Sequence, residues 1–229
     1  MTVPDSYPLL DNASLAYRQV SASVSPTRLL VLIHGVGGNE TNLIPLGSAF
    51  SGDTLVVFPR GPLVISPGQY AWFPVRFSPS GPQIDFAEAQ RSTQLLNDLI
   101  ADLQASHGIP ASRTVISGFS QGGIMGANVA LTAPERIAGF GVISGRILPE
   151  IEAHASVSPE LQALDALVIH GSEDTKLPPS WAQRADELLI RLRVPHRTEY
   201  FPAGHEISQA MQSTFLSWFQ AGNARWNVA

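Results

Sequence analysis

The segment Thr114-Val115-Ile116-Ser117-Gly118-Phe119-Ser120-Gln121-Gly122-Gly123 sets a serine at the centre of a G-x-S-x-G pattern formed by Gly118, Ser120 and Gly122. Small and β-branched residues run into Gly118, and a helix-compatible stretch over 121–131 leaves it. A strand-to-helix turn this sharp strains the serine backbone and exposes its hydroxyl above the sheet edge. A Cβ at either flanking glycine would collide with the neighbouring strand or helix. The chemistry that such a turn serves is nucleophilic attack on a carbonyl carbon.

A serine hydroxyl is a weak nucleophile at neutral pH. It needs a base within hydrogen-bond reach, oriented in turn by a carboxylate. With the serine on a strand–turn–helix, its partners follow in the order acid, then histidine, each after a later strand. Two acids stand just beyond the apolar run 166–169, Glu173 and Asp174. Asp174 is the candidate, because the turn His170-Gly171-Ser172-Glu173 carries it to the crest of the loop; Glu173 reads as a solvated neighbour. His205 follows the run 198–201 and is the candidate base. An imidazole titrating near ~6.5 can take the serine proton and return it to a leaving group. The other histidines have plainer roles. His34 and His170 sit at strand ends before a glycine and read as loop braces, His107 and His196 lie at helix ends, and His154 is in a polar connection.

The oxyanion formed on attack needs backbone donors. The N–H of Gln121, at the first turn of the helix, points to that position with the helix dipole behind it. A second donor is expected from the loop His34-Gly35-Val36-Gly37-Gly38-Asn39, with Val36 chosen and Gly37 the alternative.

These loops require a sheet to carry them. The continuous apolar run at 28–33 reads as a strand buried on both faces and 55–58 as a second buried strand; the elbow strand and strands over 137–144, 166–169 and 198–201 follow, with a weak edge strand over 15–20. Between them, helical spacing is expected over 41–50, 86–106 (Leu95, Leu96, Leu99, Ile100 and Leu103 on one stripe), 180–193 (Trp181, Ala185, Leu188, Leu189 and Leu192 inward) and 206–220. Strand–helix alternation predicts a doubly wound, mostly parallel α/β sheet. Residues 145–165 read as a polar connection, helical at best and too short for a separate cap domain. Residues 59–87, rich in Pro, Gly and aromatics, read as a long irregular excursion on the ligand-binding side of the sheet. Within it Trp72 and Phe73 are candidates for a substrate-pocket wall, against a role as core anchors, and Leu148, Ile151 and Leu177 are candidates for the same groove.

The chain of 229 residues fits one domain. Its net charge of −5 is the wrong sign for a nucleic-acid binder. No apolar run reaches the roughly 18–20 residues that span a bilayer, so stable membrane insertion is not expected. Residues 1–10 contain no Lys or Arg and no apolar segment of signal-peptide type, and read as a cytoplasmic start. With no cysteine in the chain, disulfides, thiolate metal sites and cysteine nucleophiles are excluded.

The motifs together resemble the phospholipase/carboxylesterase family of α/β-hydrolases, which includes acyl-protein thioesterases and small bacterial carboxylesterases. The resemblance rests on Leu32-Ile33-His34-Gly35-Val36-Gly37-Gly38, Phe58-Pro59 with Pro62, Ala71-Trp72-Phe73, Gly118-Phe119-Ser120-Gln121-Gly122-Gly123, His170-Gly171-Ser172-Glu173-Asp174 and Gly204-His205, in the family's order over about residues 28–220. It implies an α/β-hydrolase fold, a Ser120–Asp174–His205 triad, an oxyanion hole at Val36 and Gln121, no cofactor or metal, and an open apolar groove for an acyl chain. The implied activity is that of a serine carboxylesterase on small to medium acyl esters or thioesters through an acyl-enzyme, as a monomer or homodimer. A lysophospholipase or acyl-protein thioesterase is the alternative, followed by a non-catalytic binding protein of the same fold. The acyl-protein thioesterase branch usually has an acid directly after the loop glycines; here Asn39 precedes Glu40, which weighs toward the general esterase branch.

Overall fold

The computed structural model describes residues 7–11, 13–20, 25–50, 52–78 and 81–226; residues 1–6 of the N-terminal stretch discussed above lie outside them. The first half of the chain runs β1 (Tyr17–Val20), β2 (Arg28–Ile33), α1 (Ile44–Gly47), β3 (Thr54–Pro59), β4 (Leu63–Ser66), β5 (Gln69–Ala71), β6 (Val75–Ser78), β7 (Gly81–Ile84) and α2 (Phe86–His107). The second half runs β8 (Thr114–Phe119), α3 (Gln121–Thr132), β9 (Gly139–Ile143), α4 (Pro149–Glu152), α5 (Pro159–Ala163), β10 (Asp165–Gly171), α6 (Ser180–Leu192), β11 (His196–Phe201) and α7 (Gln209–Trp226).

Seven strands form the central sheet in the order β1-β3-β2-β8-β9-β10-β11. Only β1 is antiparallel; it pairs with β3. The remaining pairings are parallel. Successive side chains of a strand point to opposite faces, so apolar runs such as Arg28–Ile33 feed two cores. Leu29, Val31 and Ile33 join a cluster with Leu96, Leu99 and Ile100 of α2, Met125 of α3 and Leu188 and Leu189 of α6. Leu30 and Leu32 join the opposite cluster with Ile44 and Leu46 of α1 and Met211, Phe215 and Phe219 of α7. This is the mostly parallel, doubly wound α/β-hydrolase arrangement, and no separate cap domain is evident among the described residues.

Several elements differ from expectation. The helix expected over 41–50 is reduced to Ile44–Gly47. Asn39 Oδ1 accepts both the N–H and the hydroxyl of Thr41, a local turn that competes with helix formation. Residues 59–87 contain two antiparallel hairpins, β4–β5 and β6–β7. The first turns at Pro67-Gly68, where Gly68 has φ +76°, so the Pro/Gly richness that suggested irregular chain belongs to the turn. The C-terminal helix starts at Gln209, later than position 206, where Ser208 Oγ accepts the Met211 N–H. Trp181 is half-buried, outside the α6 core stripe, between the guanidinium groups of Arg146 and Arg184 at 4.4 and 5.3 Å from its ring centroid. Leu95 is likewise only half-buried at the margin of its stripe.

Candidate active site

Ser120 occupies the junction of β8 and α3 with φ 55° and ψ −119°, a left-handed conformation uncommon for a residue with a side chain. Its N–H is fixed by the Ile143 carbonyl of β9 at 2.9 Å. The turn closes because α3 comes down directly on β2: a Cβ on Gly122 would stand 2.1 Å from the Ile33 carbonyl oxygen, and one on Gly118 would stand 2.4 Å from the Gly122 carbonyl carbon. Glycine at both positions is therefore the condition for the turn.

The loops after the neighbouring strands β10 and β11 bring the other two candidates to this point. His205 Nε2 lies 2.9 Å from Ser120 Oγ, and His205 Nδ1 lies 2.7 Å from Asp174 Oδ2. With Nδ1–H donating to the carboxylate, Nε2 presents its lone pair to the serine hydroxyl. The Phe119 ring packs beside the imidazole, with centroids 4.9 Å apart. Asp174 is buried, and its Oδ1 accepts the N–H groups of Lys176 and Leu177, each at 2.9 Å. Burial opposes ionisation of Asp174, but the hydrogen bond from His205 and the two backbone donors outweigh it, and the carboxyl is held below its ordinary value. Glu173 is exposed beside it.

His170 and His34 do brace loops. His170 Nε2 donates to the Leu177 carbonyl at 2.8 Å and stands 3.5 Å from Asp174 Oδ2, so it supports the acid's loop from below. His34 Nδ1 donates to the Gly35 carbonyl, and its Nε2 accepts the Gly61 N–H at 3.0 Å. Burial lowers the pKa of both rings, against the pull of their carbonyl partners.

Val36 and Gln121 both border the cavity in front of Ser120. Among the described residues no acceptor takes the backbone N–H of either. The Gly37 N–H, the alternative donor, is engaged with the Tyr70 carbonyl at 2.9 Å. The cavity measures about 850 Å³, with largely apolar walls from Phe73, Val64, Ile65, Val75, Ile84, Ile124 and Leu177. Trp72 is not among them. It is fully buried, its indole N–H donates to the His34 carbonyl at 2.9 Å, and the His34 ring packs on it at 5.3 Å. Both rings belong to the same buried core cluster, but only Phe73 also borders the cavity; Trp72 lies behind it as a core residue, which corrects the expectation of a pocket wall at position 72. Leu148 and Ile151 also belong to the core and do not reach the cavity.

Two contributions were not anticipated from residue types. The Gln121 side chain is buried and bridges to the 72–73 segment: Oε1 accepts the Trp72 N–H at 2.8 Å and Nε2 donates to the Phe73 carbonyl at 2.9 Å. Arg146, in the stretch read as a polar connection, is buried and borders the cavity.

Comparison with known proteins fits this geometry. A model of the phospholipase/carboxylesterase family matches residues 17–220. The chain belongs to that family. Acyl-protein thioesterase 1 of Eremothecium gossypii is 27% identical over 217 residues, covering 89% of this chain and 92% of the relative. Among solved structures, esterase PE8 superposes with a TM-score of 0.77 at 29% identity, covering 89% of this chain and 96% of that one. A carboxylesterase from Mesorhizobium loti reaches a TM-score of 0.81 over 94% of this chain and 99% of its own, and at 22% identity that likeness speaks to the fold. As a phospholipase/carboxylesterase family member, the protein is an enzyme of the carboxylesterase and acyl-protein thioesterase type. Among the described residues no helix is long and apolar enough to cross a membrane.

Proposed function

We propose that this family member, a single domain over residues 1–229, is a cytoplasmic serine carboxylesterase that hydrolyses small to medium acyl esters or thioesters through an acyl-enzyme on Ser120. The observation that carries this reading is the continuous hydrogen-bonded line from Asp174 through His205 to Ser120 at the mouth of an apolar cavity.

In this reading the Ser120 hydroxyl gives its proton to His205 Nε2 as Oγ attacks the substrate carbonyl. Asp174 keeps the imidazole in the required tautomer and stabilises the cation that forms. The oxyanion is taken by the N–H groups of Val36 and Gln121, an arrangement whose single donors are typically worth on the order of 100- to 1000-fold in rate. His205 then protonates the departing alcohol or thiol. Water, deprotonated by the same imidazole, releases the acid. Nucleophile, base and oxyanion donors all come from the chain, so the reading includes no cofactor. Phe73 and its apolar neighbours receive the acyl chain.

Of the alternative substrate classes, acyl-protein thioesters are supported by the name of the Eremothecium gossypii relative, and lysophospholipids by the family's description and the apolar cavity. The test is a chain-length series of p-nitrophenyl esters run beside an acyl thioester and a lysophospholipid, with wild type and Ser120→Ala. Turnover of short and medium esters that depends on Ser120 supports the reading. Turnover confined to the lysophospholipid or to long acyl thioesters transfers it to the alternative.

A further inference from the structure

Arg146 is a feature of the cavity that hydrolysis of a plain acyl ester leaves unused. It follows Gly145, whose Cα is so close to the elbow that an added Cβ would lie 3.1 Å from the Ser120 carbonyl oxygen. Arg146 is only 6% exposed, yet it borders the same cavity as Ser120 and His205.

A guanidinium carries five N–H donors in a planar fork and stays protonated in proteins. Buried donors are almost always satisfied, and a buried charge is normally paired. Here neither holds among the described residues. Arg146 Nε is buried with no hydrogen-bond partner, and no carboxylate lies within ion-pair distance of the side chain. Glu150 supplies a favourable field only from farther away, and Arg184 opposes it. The Trp181 ring lies 4.4 Å from Cζ, which stacks the group and restricts its orientation but accepts no in-plane N–H bond. Among the described residues the cavity wall contains no Asp or Glu, and its other Lys or Arg side chain is Lys176. A chain with a net charge of −5 thus places a fixed, unpaired positive fork in an apolar pocket beside the candidate nucleophile. This is the arrangement that accepts a planar anion bidentately.

Taking Ser120 as the nucleophile, the reading on which this inference rests, we propose that Arg146 is a carboxylate-recognition site and that the preferred substrates are esters or thioesters carrying a free carboxylate. Arg146 then acts as a specificity residue, with Trp181 holding its plane.

The test compares matched substrates. For the acyl side these are the mono-p-nitrophenyl ester of adipic acid and the same compound with its free acid methylated; for the alcohol side, 4-carboxyphenyl hexanoate and phenyl hexanoate. In wild type, kcat/KM for the acid form of at least one pair is expected to exceed that of its neutral partner by at least about ten-fold, mainly through KM. Arg146→Met should reduce this ratio to about one, and Arg146→Lys should retain part of it. A wild-type ratio at or below one in both pairs, or a ratio unchanged in Arg146→Met, overturns the proposal. If neither member of either pair is turned over, it is the esterase reading that fails. Calorimetric titration with adipate then judges the subsite alone. Binding weakened at least about ten-fold by Arg146→Met supports it, and no binding to wild type overturns it.

Discussion

Gln121 holds Trp72 by its main chain: the buried side-chain oxygen accepts the Trp72 N–H at 2.8 Å, tying the start of α3 to the segment that continues into the cavity wall at Phe73. The residue beside the candidate nucleophile therefore positions the cavity wall as well as offering its own N–H to the cavity. Replacing it with alanine leaves a buried N–H on Trp72 and a buried carbonyl on Phe73 without partners. Gln121→Ala is expected to lower stability by about 3 kcal/mol and to raise KM for esters. Urea denaturation and ester kinetics check the two parts separately. A variant with wild-type stability and KM would show that the bridge positions nothing.

The elbow depends on the absence of a side chain at Gly122, because a Cβ there would stand 2.1 Å from a carbonyl oxygen of β2. Neither backbone can yield without moving the turn. Gly122→Ala should cost about 3 kcal/mol and displace Ser120 from His205. Circular dichroism melts and labelling by an active-site probe measure the two effects. A folded variant that labels at the wild-type rate contradicts the steric account.

Asp174 accepts two backbone N–H groups on one oxygen and His205 on the other. Asparagine can keep the first two bonds through its carbonyl oxygen, but it then faces His205 with an amide N–H and favours the wrong tautomer. Asp174→Asn is therefore expected to lower kcat on the order of 10⁴-fold with little change in melting temperature. Near-normal turnover would assign the orienting role to another carboxylate.

Acid stability follows from groups outside this line. Glu40 is buried, which raises its pKa, but its ion pairs with Arg60 at 2.8 Å and Arg18 at 3.1 Å prevail and bring it from 4.5 to about 2. The folded state then binds fewer protons than the unfolded state, so the contribution is complete above about pH 4.5 and is lost as pH falls toward about 2. His34 and His170, kept neutral by burial, add an earlier decline that starts below about 6.5, where the unfolded rings protonate. Urea midpoints between about pH 7 and about pH 2.5 should fall in these two stages. Glu40→Gln should flatten the lower stage and cost about 3 kcal/mol at neutral pH. An unchanged acid limb in that variant would remove Glu40 from the account.

Much of this was legible in the chain because it is written locally. The strands β2, β3, β8 and β10 are largely apolar and buried, as strands covered on both faces must be, and Val36, Ser120 and Asp174 each follow the end of one, while His205 follows the half-buried β11. Ser120, Asp174 and His205 could be picked by position because each stands just beyond a strand, and the fold brings them into hydrogen-bond contact. What stayed hidden depends on contacts between distant segments. Trp72 and Phe73 are adjacent aromatics with equal claims on a pocket, both pack into one core cluster, and only the folded chain leaves Phe73 at the cavity's edge. The Gln121 bridge joins partners 48 and 49 residues away, which no local pattern encodes. Arg146 sits in the polar stretch 145–165, where nothing in the local pattern marks it for burial; in the fold it is buried, as are Leu148 and Ile151 beyond it.

The most direct test of the central claim is labelling with a fluorophosphonate probe, with the adduct located by mass spectrometry. The account predicts one adduct, on Ser120, that disappears in Ser120→Ala and forms far more slowly in His205→Ala. Labelling that persists in Ser120→Ala, or an adduct mapped to any other residue, would contradict it.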